Sequence, residues 1–143
     1  MFEAGLYYLL ANDPGIQAAV GIQLSPPVPR ADATSGIWPA LLPEHPILPA
    51  IAYQIVAATS VDSCDGTNAL EMKRVQIDCH AKTYAGAKAL SAAVKDCLLG
   101  YLGILNDGSE ISGVLPNGEY DRFEDAPAEF AVTLDFSIWV FNV

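Results

Sequence analysis

The apolar residues of this 143-residue chain switch between helical and strand spacing, and the switches divide it into elements. Helical spacing over Phe2–Leu10 stops at the turn-forming residues 12–15, which predicts an N-terminal helix. Residues Ile16–Val20 can add a second short helical piece. From Ile51 onward every second residue is apolar, which predicts a strand. The members of its apolar face are Ile51, Tyr53, Ile55 and Ala57.

A proline-rich segment separates these two regions. Residues Ser25–Pro49 hold seven of the ten prolines, and proline lacks an N–H and fixes φ. The segment therefore cannot be a long helix or a central strand, and we expect an extended arm or loop. Large apolar residues between the prolines need cover, either from the chain's own domain or from a neighbouring subunit. These residues are Ile37, Trp38, Leu41, Leu42, Ile47 and Leu48.

A second strand is predicted over about Ala69–Lys82, after a turn at residues 63–68. Its later half alternates regularly between apolar and polar side chains. In its earlier half Leu70 and Met72 fall on the opposite parity, which predicts either a bulge near Lys73 or a change of the covered face.

The next elements are a helix and a hairpin. Thr83 can cap a helix over about Tyr84–Leu99, in which apolar residues recur at three- and four-residue steps. After a turn at residues 106–108, strands over Ser109–Leu115 and Glu119–Glu124 flank Pro116-Asn117-Gly118. Because Asn-Gly is a strong hairpin signal, we expect a tight turn there.

The last strand, over about Phe130–Val140, has one uninterrupted apolar face. We expect it to lie centrally in the sheet, with the helix packed on that face. Trp139 and Phe141 make its second face apolar as well, which suggests a local contact on both sides. The pattern predicts a single α+β domain over residues 1–143, with a mainly antiparallel sheet, a helix on one face, an N-terminal helix and a proline-rich arm.

The net negative charge of the chain makes one class of function, DNA binding, unlikely. Acidic residues number 17 against 7 basic ones, a formal charge of −10 that repels phosphate and makes DNA binding unlikely. The acidic surface either serves solubility or lines a passage through which DNA slides without binding. The first residues lack the positive segment of a signal peptide, and no apolar run is long enough for a membrane span, so we expect synthesis in the cytosol.

The chain contains one weak candidate for a catalytic pair. The common hydrolase, phosphate-binding and metal-binding motifs are absent. Asp78 and His80 share a strand face, where a carboxylate could orient an imidazole, but no nucleophile accompanies them and we prefer to interpret them as a polar sheet face. His45 lies between prolines. We therefore assign no catalytic, cofactor or metal residue.

Other metal candidates are weaker. Cys79 and His80 are adjacent on a strand and point to opposite faces. Cys64, Cys79 and Cys97 lack the paired spacing of metal sites and are expected to be free thiols. Three acids could bind a cation or form a solvated hairpin rim, which we prefer: Asp121, Glu124 and Asp125.

Several segments together resemble a phage tail family, the tail-completion proteins, also described as tail terminators or head-to-tail joining proteins. The resembling segments are Leu48–Gln54, Arg74–Tyr84, Ala85–Leu90 and Tyr120–Trp139. The strand-to-helix block V-x-I-D-x-x-A-x-T-Y-x-x-A is the most specific of them. The family often has an aromatic residue where this chain has Cys79, and its arm is usually shorter.

The resemblance implies a structural virion protein, made in the host cytoplasm and placed at the head-proximal end of the tail. It implies a ring, typically of six copies, that caps the tail tube, stops its polymerisation and meets a neck or head-completion protein, while DNA passes through the lumen. A neck adaptor that does not control tail length is the alternative, and a small enzyme using Asp78 and His80 is a third. The candidate interface residues are Trp38, Leu41, Leu42, Ile47, Trp139 and Phe141.

Overall fold

A computed structural model describes residues 1–24, 27–28, 30, 34–43, 46–60, 70–125 and 128–141. Two helices come first, α1 (Phe2–Ala11) and α2 (Pro14–Ala19), which confirms the predicted N-terminal pair. Asp13 begins α2, because its carboxylate accepts a hydrogen bond of 3.0 Å from the Ile16 amide. A two-residue pairing of β1 (Gln23–Leu24) with β2 (Pro27–Val28) follows.

The remaining strands are β3 (Ile37–Pro39), β4 (Ala50–Ser60), β5 (Leu70–Ala81), β6 (Gly103–Ile104), β7 (Glu110–Asp125) and β8 (Ala128–Phe141). They form one six-stranded sheet with the order β3-β4-β5-β8-β7-β6. Only the pairing of β3 with β4 is parallel, and the other pairings are antiparallel. This confirms the α+β class with a mainly antiparallel sheet.

The helices cover one face of this sheet, called here the inner face. Helix α3 (Tyr84–Leu98) packs on β5 and β8, and Thr83 caps it by accepting a 3.0 Å hydrogen bond from the Gly86 amide. The predicted central position of the last strand is confirmed, since β8 lies between β5 and β7. The core joins the apolar faces of β8, β5 and α3 to the buried residues of α1 and α2. None of the helices in the described ranges is long and apolar enough to cross a membrane.

The predicted hairpin at Pro116-Asn117-Gly118 is wrong. Strand β7 runs without a turn from Glu110 to Asp125, opposite β8 along nearly its whole length. Asn117 is an extra residue in a bulge of β7, and its side-chain amide donates a 2.8 Å hydrogen bond to Ser137 Oγ. Because β8 offers a continuous partner on both sides of Asn117, the Asn-Gly pair shapes a bulge instead of reversing the chain.

The bulge expected near Lys73 is also wrong. Strand β5 pairs with β8 in unbroken register from Leu70 to Ala81, and the irregularity lies across from it, at Val56 of β4. That extra residue turns Ala57 to the outer face, away from the helices, so Ala57 does not share a face with Ile55. The alternative of a changed face fits the structure, since Leu70 and Met72 are half-buried on the outer face.

The proline-rich segment is partly built into the sheet. Within it, β3 runs parallel to the start of β4, with Ile37 opposite Ile51 and buried in the core. Strand β6 pairs with only two residues of β7, Glu110 and Ile111. Neither three-residue β3 nor two-residue β6 is long enough to show a period in the sequence.

Candidate functional site

The apolar side chains of the proline-rich segment differ in their exposure to solvent. Leu41 is 82% exposed and Ile47 is 46% exposed, whereas Trp38 and Leu42 are half-buried. His45 lies outside the described residues. The segment therefore packs on its own chain through Ile37 and displays Leu41 and Ile47, which we call the arm surface.

Arg30 holds this segment in place. Its guanidinium is buried and donates to three backbone carbonyls, those of Val20 at 2.9 Å, Ile47 at 2.5 Å and Pro49. Gly36 lies against the same guanidinium with a φ of 75°, where a side chain would meet both a strained backbone and Arg30. The sequence pattern does not predict this role, although Arg30 is the first basic residue of the chain and stands alone among prolines.

The outer face of the sheet has an apolar end. Trp139 lies opposite Met72 on one side and Gly113 on the other, and Phe141 lies opposite Leu70. Phe141 is 37% exposed and Trp139 is half-buried. Leu115, which is exposed, extends these side chains along β7. We call Leu70, Met72, Leu115, Trp139 and Phe141 the outer patch.

The outer patch is separate from Trp38 of the proline-rich segment. Trp38 lies opposite Ala52, which in turn lies opposite Asp78, while Trp139 lies opposite Met72. Six residues of β5 therefore separate the two positions along the strand, a distance of roughly 20 Å. The structure does not bring together the two groups of candidate interface residues.

Ionic and polar pairs fill the rest of the outer face. Arg74 holds Asp135 through two nitrogens, with Nε 2.9 Å and Nη2 2.5 Å from Oδ2. This contact lowers the pKa of the Asp135 carboxyl below its usual value. The pairing balances the charge of Arg74 with that of Asp135 on this face.

Asp78 and His80 do not form a catalytic pair in this structure, because each has a different partner. Asp78 Oδ1 accepts a 2.8 Å hydrogen bond from Thr133, and its second oxygen lies 3.5 Å from Arg122. His80 Nδ1 lies 2.5 Å from the carboxylate of Glu129. The arrangement fixes both side chains within the sheet and directs neither of them at a shared reacting atom.

Helix α3 is tied to the distal half of β7 by a second group of ions. Lys88 contacts Asp121 at 2.8 Å and Glu119 at 3.3 Å, and Lys95 contacts Glu119 at 2.9 Å. Tyr84 also donates a 2.9 Å hydrogen bond to Asp121. We call Lys88, Lys95, Glu119 and Asp121 the helix–strand ion cluster. It uses Asp121 as an ion-pair partner, and the side chains of Glu124 and Asp125 lie outside the described residues.

These contacts change the acidity of both carboxyls in the cluster. Lys95 and Lys88 lower the pKa of Glu119, although partial burial opposes them. Lys88 and Tyr84 lower the pKa of Asp121. In the described part of the chain no group of three or more His, Cys, Asp or Glu is placed to hold a metal ion.

The described thiols are shielded from reaction. Cys79 is buried in the core, and burial raises the pKa of its thiol far above the ordinary value. Burial and the nearby Asp13 raise the pKa of the Cys97 thiol to about 12. Both are free cysteines, and Cys64 lies outside the described residues. A thiol that stays protonated is a poor nucleophile, so neither cysteine supports catalysis.

Comparison with known proteins assigns the family. The family of tail completion protein gp17 matches residues 4–141. The fold is similar to that of a chain in the solved structure described as the virion of a native gene transfer agent particle, with a TM-score of 0.66 and 21% sequence identity. That similarity covers 98% of this chain and 94% of the other. No curated protein matches. Since the family match spans almost all of the sequence, the chain belongs to the tail completion protein gp17 family of bacteriophage tail structural proteins.

Proposed function

We propose that the protein is a tail terminator at the head-proximal end of the tail. It forms a homo-oligomeric ring, for which six copies is the expected number, and it caps the tail tube, stops its polymerisation and offers a surface to the neck or head-completion protein. The observation that carries this proposal is the family match over residues 4–141. The fold shared with a chain of a gene transfer agent virion supports a place in the particle.

The exposed surfaces suit such a ring. A closed ring requires two different patches on each copy, one for each neighbour, and further contacts for the tube and the neck. The arm surface lies in the proline-rich segment and the outer patch lies on the sheet, so one chain carries two apolar areas made of different residues. We infer that Trp38, Leu41, Leu42, Ile47, Trp139 and Phe141 contribute to these contacts.

The charge distribution suits the passage of DNA through the ring. The formal charge is −10, and six of the seven basic side chains donate to carboxylates or carbonyls of the same chain. Cations that are already neutralised attract phosphate only weakly, so an acidic lumen lets DNA slide without binding.

Electron microscopy of particles from a strain that lacks this gene tests the proposal. We expect overlong tails without heads, and we expect the wild-type gene supplied in trans to restore normal length. Tails of normal length that fail to join heads would make the protein a neck adaptor. Intact, infectious particles would refute a structural role in the tail.

A further inference from the structure

The six-stranded sheet leaves part of each edge without a neighbouring strand among the described residues. On one side β3 covers only Ile51–Tyr53 of β4, so that residues 54–60 form an open edge. On the other side β6 covers only Glu110 and Ile111 of β7, so that residues 112–125 form another. Unpaired N–H and C=O groups along an edge are a template for a strand from another chain.

The two open edges match in direction. Three antiparallel pairings separate β4 from β7, so the two strands run in opposite directions within one chain. A second copy placed beside the first in the same orientation therefore brings its β7 antiparallel to the first copy's β4. The neighbour continues the sheet with the same alternation of strands.

The edges also lie at diagonally opposite corners of the sheet. Ala57 of β4 lies opposite Arg74 of β5. Asp121 of β7 lies opposite Val132 of β8, which in turn lies opposite Cys79 of β5. The offset along the strands is therefore about five residues, or roughly 17 Å. A fixed stagger between neighbouring strands is what a closed, barrel-like arrangement of tilted strands requires.

Only part of the β7 edge is regular enough to pair. Extra residues at Ser112 and Asn117 interrupt its first half, and Pro116 has no N–H to donate. Residues 118–125 keep a regular register against β8. On β4 the regular part follows the bulge at Val56 and covers Ala57–Ser60.

Charge favours pairing of unlike edges. Residues 118–125 contain the acids Glu119, Asp121, Glu124 and Asp125. Ala57–Ser60 carry no charge, and the cations opposite them on β5, Lys73 and Arg74, are paired with Glu71 and Asp135. Two β7 edges would place acids opposite acids, which is unfavourable across strands. Tyr120 and Phe123 are 52% and 53% exposed on the β7 edge and would gain cover from a neighbour.

We propose that residues 118–125 of β7 in one copy add antiparallel to Ala57–Ser60 of β4 in the next copy. The occupant of each edge is thus a second copy of this chain, and the contact is head-to-tail. The proposal rests on the ring described above, for which it supplies the subunit contact. The outer faces of neighbouring sheets then form one continuous surface around the ring.

Cysteine cross-linking tests the contact. The residues to be changed all lie on the outer face of the sheet. On β4, Thr59 pairs with Met72. On β7, the residues are Gly118, Tyr120 and Arg122, which pair with Asp135, Thr133 and Ala131 in that order. In a Cys64→Ser background, Thr59→Cys is mixed under oxidising conditions with Gly118→Cys, Tyr120→Cys or Arg122→Cys in turn. At least one mixture should give a disulfide-linked dimer, because paired residues on one face come within disulfide range.

Controls define the direction and the face of the contact. Each single variant alone should stay uncross-linked, and a chain carrying both successful cysteines should give a ladder of multimers. Ala58→Cys replaces Thr59→Cys in the matched control, because Ala58 pairs with Lys73 and points to the other face. A β7 variant that cross-links to itself would overturn the head-to-tail arrangement.

The same variants, supplied to the deletion strain, separate failure of the contact from failure of the proposed function. The expected result is the same ladder from oxidised, purified tails. Tails that contain the chain and show terminated length but give no cross-link in any register would overturn edge pairing while leaving termination intact. Tails that form normally without the chain would refute both proposals.

Discussion

His80 Nδ1 and Glu129 Oε1 lie 2.5 Å apart, and each side chain is only about one-tenth exposed. The contact joins β5 to β8 close to the end of the sheet from which α3 begins. His80 belongs to the polar face of β5, and its ring satisfies a carboxylate that the sheet largely buries.

We expect His80→Ala to lower the free energy of unfolding by about 1–3 kcal/mol, because Glu129 keeps its burial and loses its partner. Adding Glu129→Ala should recover part of that loss, which urea unfolding of the two single variants and the double variant measures as a coupling energy. Tail assembly should persist in the folded variants. Specific loss of a hydrolytic turnover in Asp78→Ala with His80→Ala would instead revive an enzymatic role.

Substitutions in the arm surface should impair tail assembly without lowering the stability of the fold. Leu41→Ser and Ile47→Ser should change the free energy of unfolding by no more than about 0.5 kcal/mol, because both side chains are exposed. Trp38→Ser, at a half-buried position in β3, should cost more. We expect Leu41→Ser with Ile47→Ser to reduce the yield of terminated tails in the complemented deletion strain. Full yield from that double variant would remove the arm surface from the assembly contacts.

The sequence predicted the long regular elements and missed those that depend on distant partners. The β8 strand and α3 were predicted because each shows many repeats of its period, and Thr83 marks the helix start locally. Asn117-Gly118 suits both a turn and a bulge, and only the length of β8 decides between them. The carbonyls that bind Arg30 come from two separate parts of the chain, so no local pattern could reveal that site.

Acid should weaken the helix–strand ion cluster. The pKa values of Glu119 and Asp121 lie below their ordinary values of 4.5 and 3.8, because Lys95 and Lys88 stabilise the ionised forms. A carboxyl with a lowered pKa contributes stability that is present above its unfolded pKa and is lost as the pH falls through the folded value. Stability should therefore decline as the pH falls below about 4.5.

A comparison of two lysine variants isolates this effect. Lys88→Gln should be less stable than the parent at pH 7, and the difference should shrink toward pH 3, because the carboxyls take up protons as the pH falls. Lys82→Gln, at an exposed position, serves as the matched control. Urea midpoints at both pH values give the measurement, and high salt should reduce the effect at pH 7 because these groups are near the surface. A difference that is equal at pH 3 and pH 7 would contradict the assignment.

Arg30 and Gly36 should give the same phenotype when either is changed. Arg30→Ala leaves the carbonyls of Val20, Ile47 and Pro49 without their donor, and Gly36→Ala places a methyl group where the guanidinium lies. Both changes should release the proline-rich segment from the sheet, while the core of β8 and α3 stays folded. Hydrogen exchange should then increase within residues 34–49 and remain slow in β8.

Gly21→Ala is the matched control for this last prediction. Gly21 has a φ of 96° and Gly36 a φ of 75°, so both substitutions strain the backbone. No atom lies near a side chain added at Gly21, whereas Arg30 lies directly against one added at Gly36. Only Gly36→Ala should therefore reproduce the exchange pattern of Arg30→Ala. If Gly21→Ala opens the segment equally, backbone strain accounts for the change and Arg30 does not hold the arm.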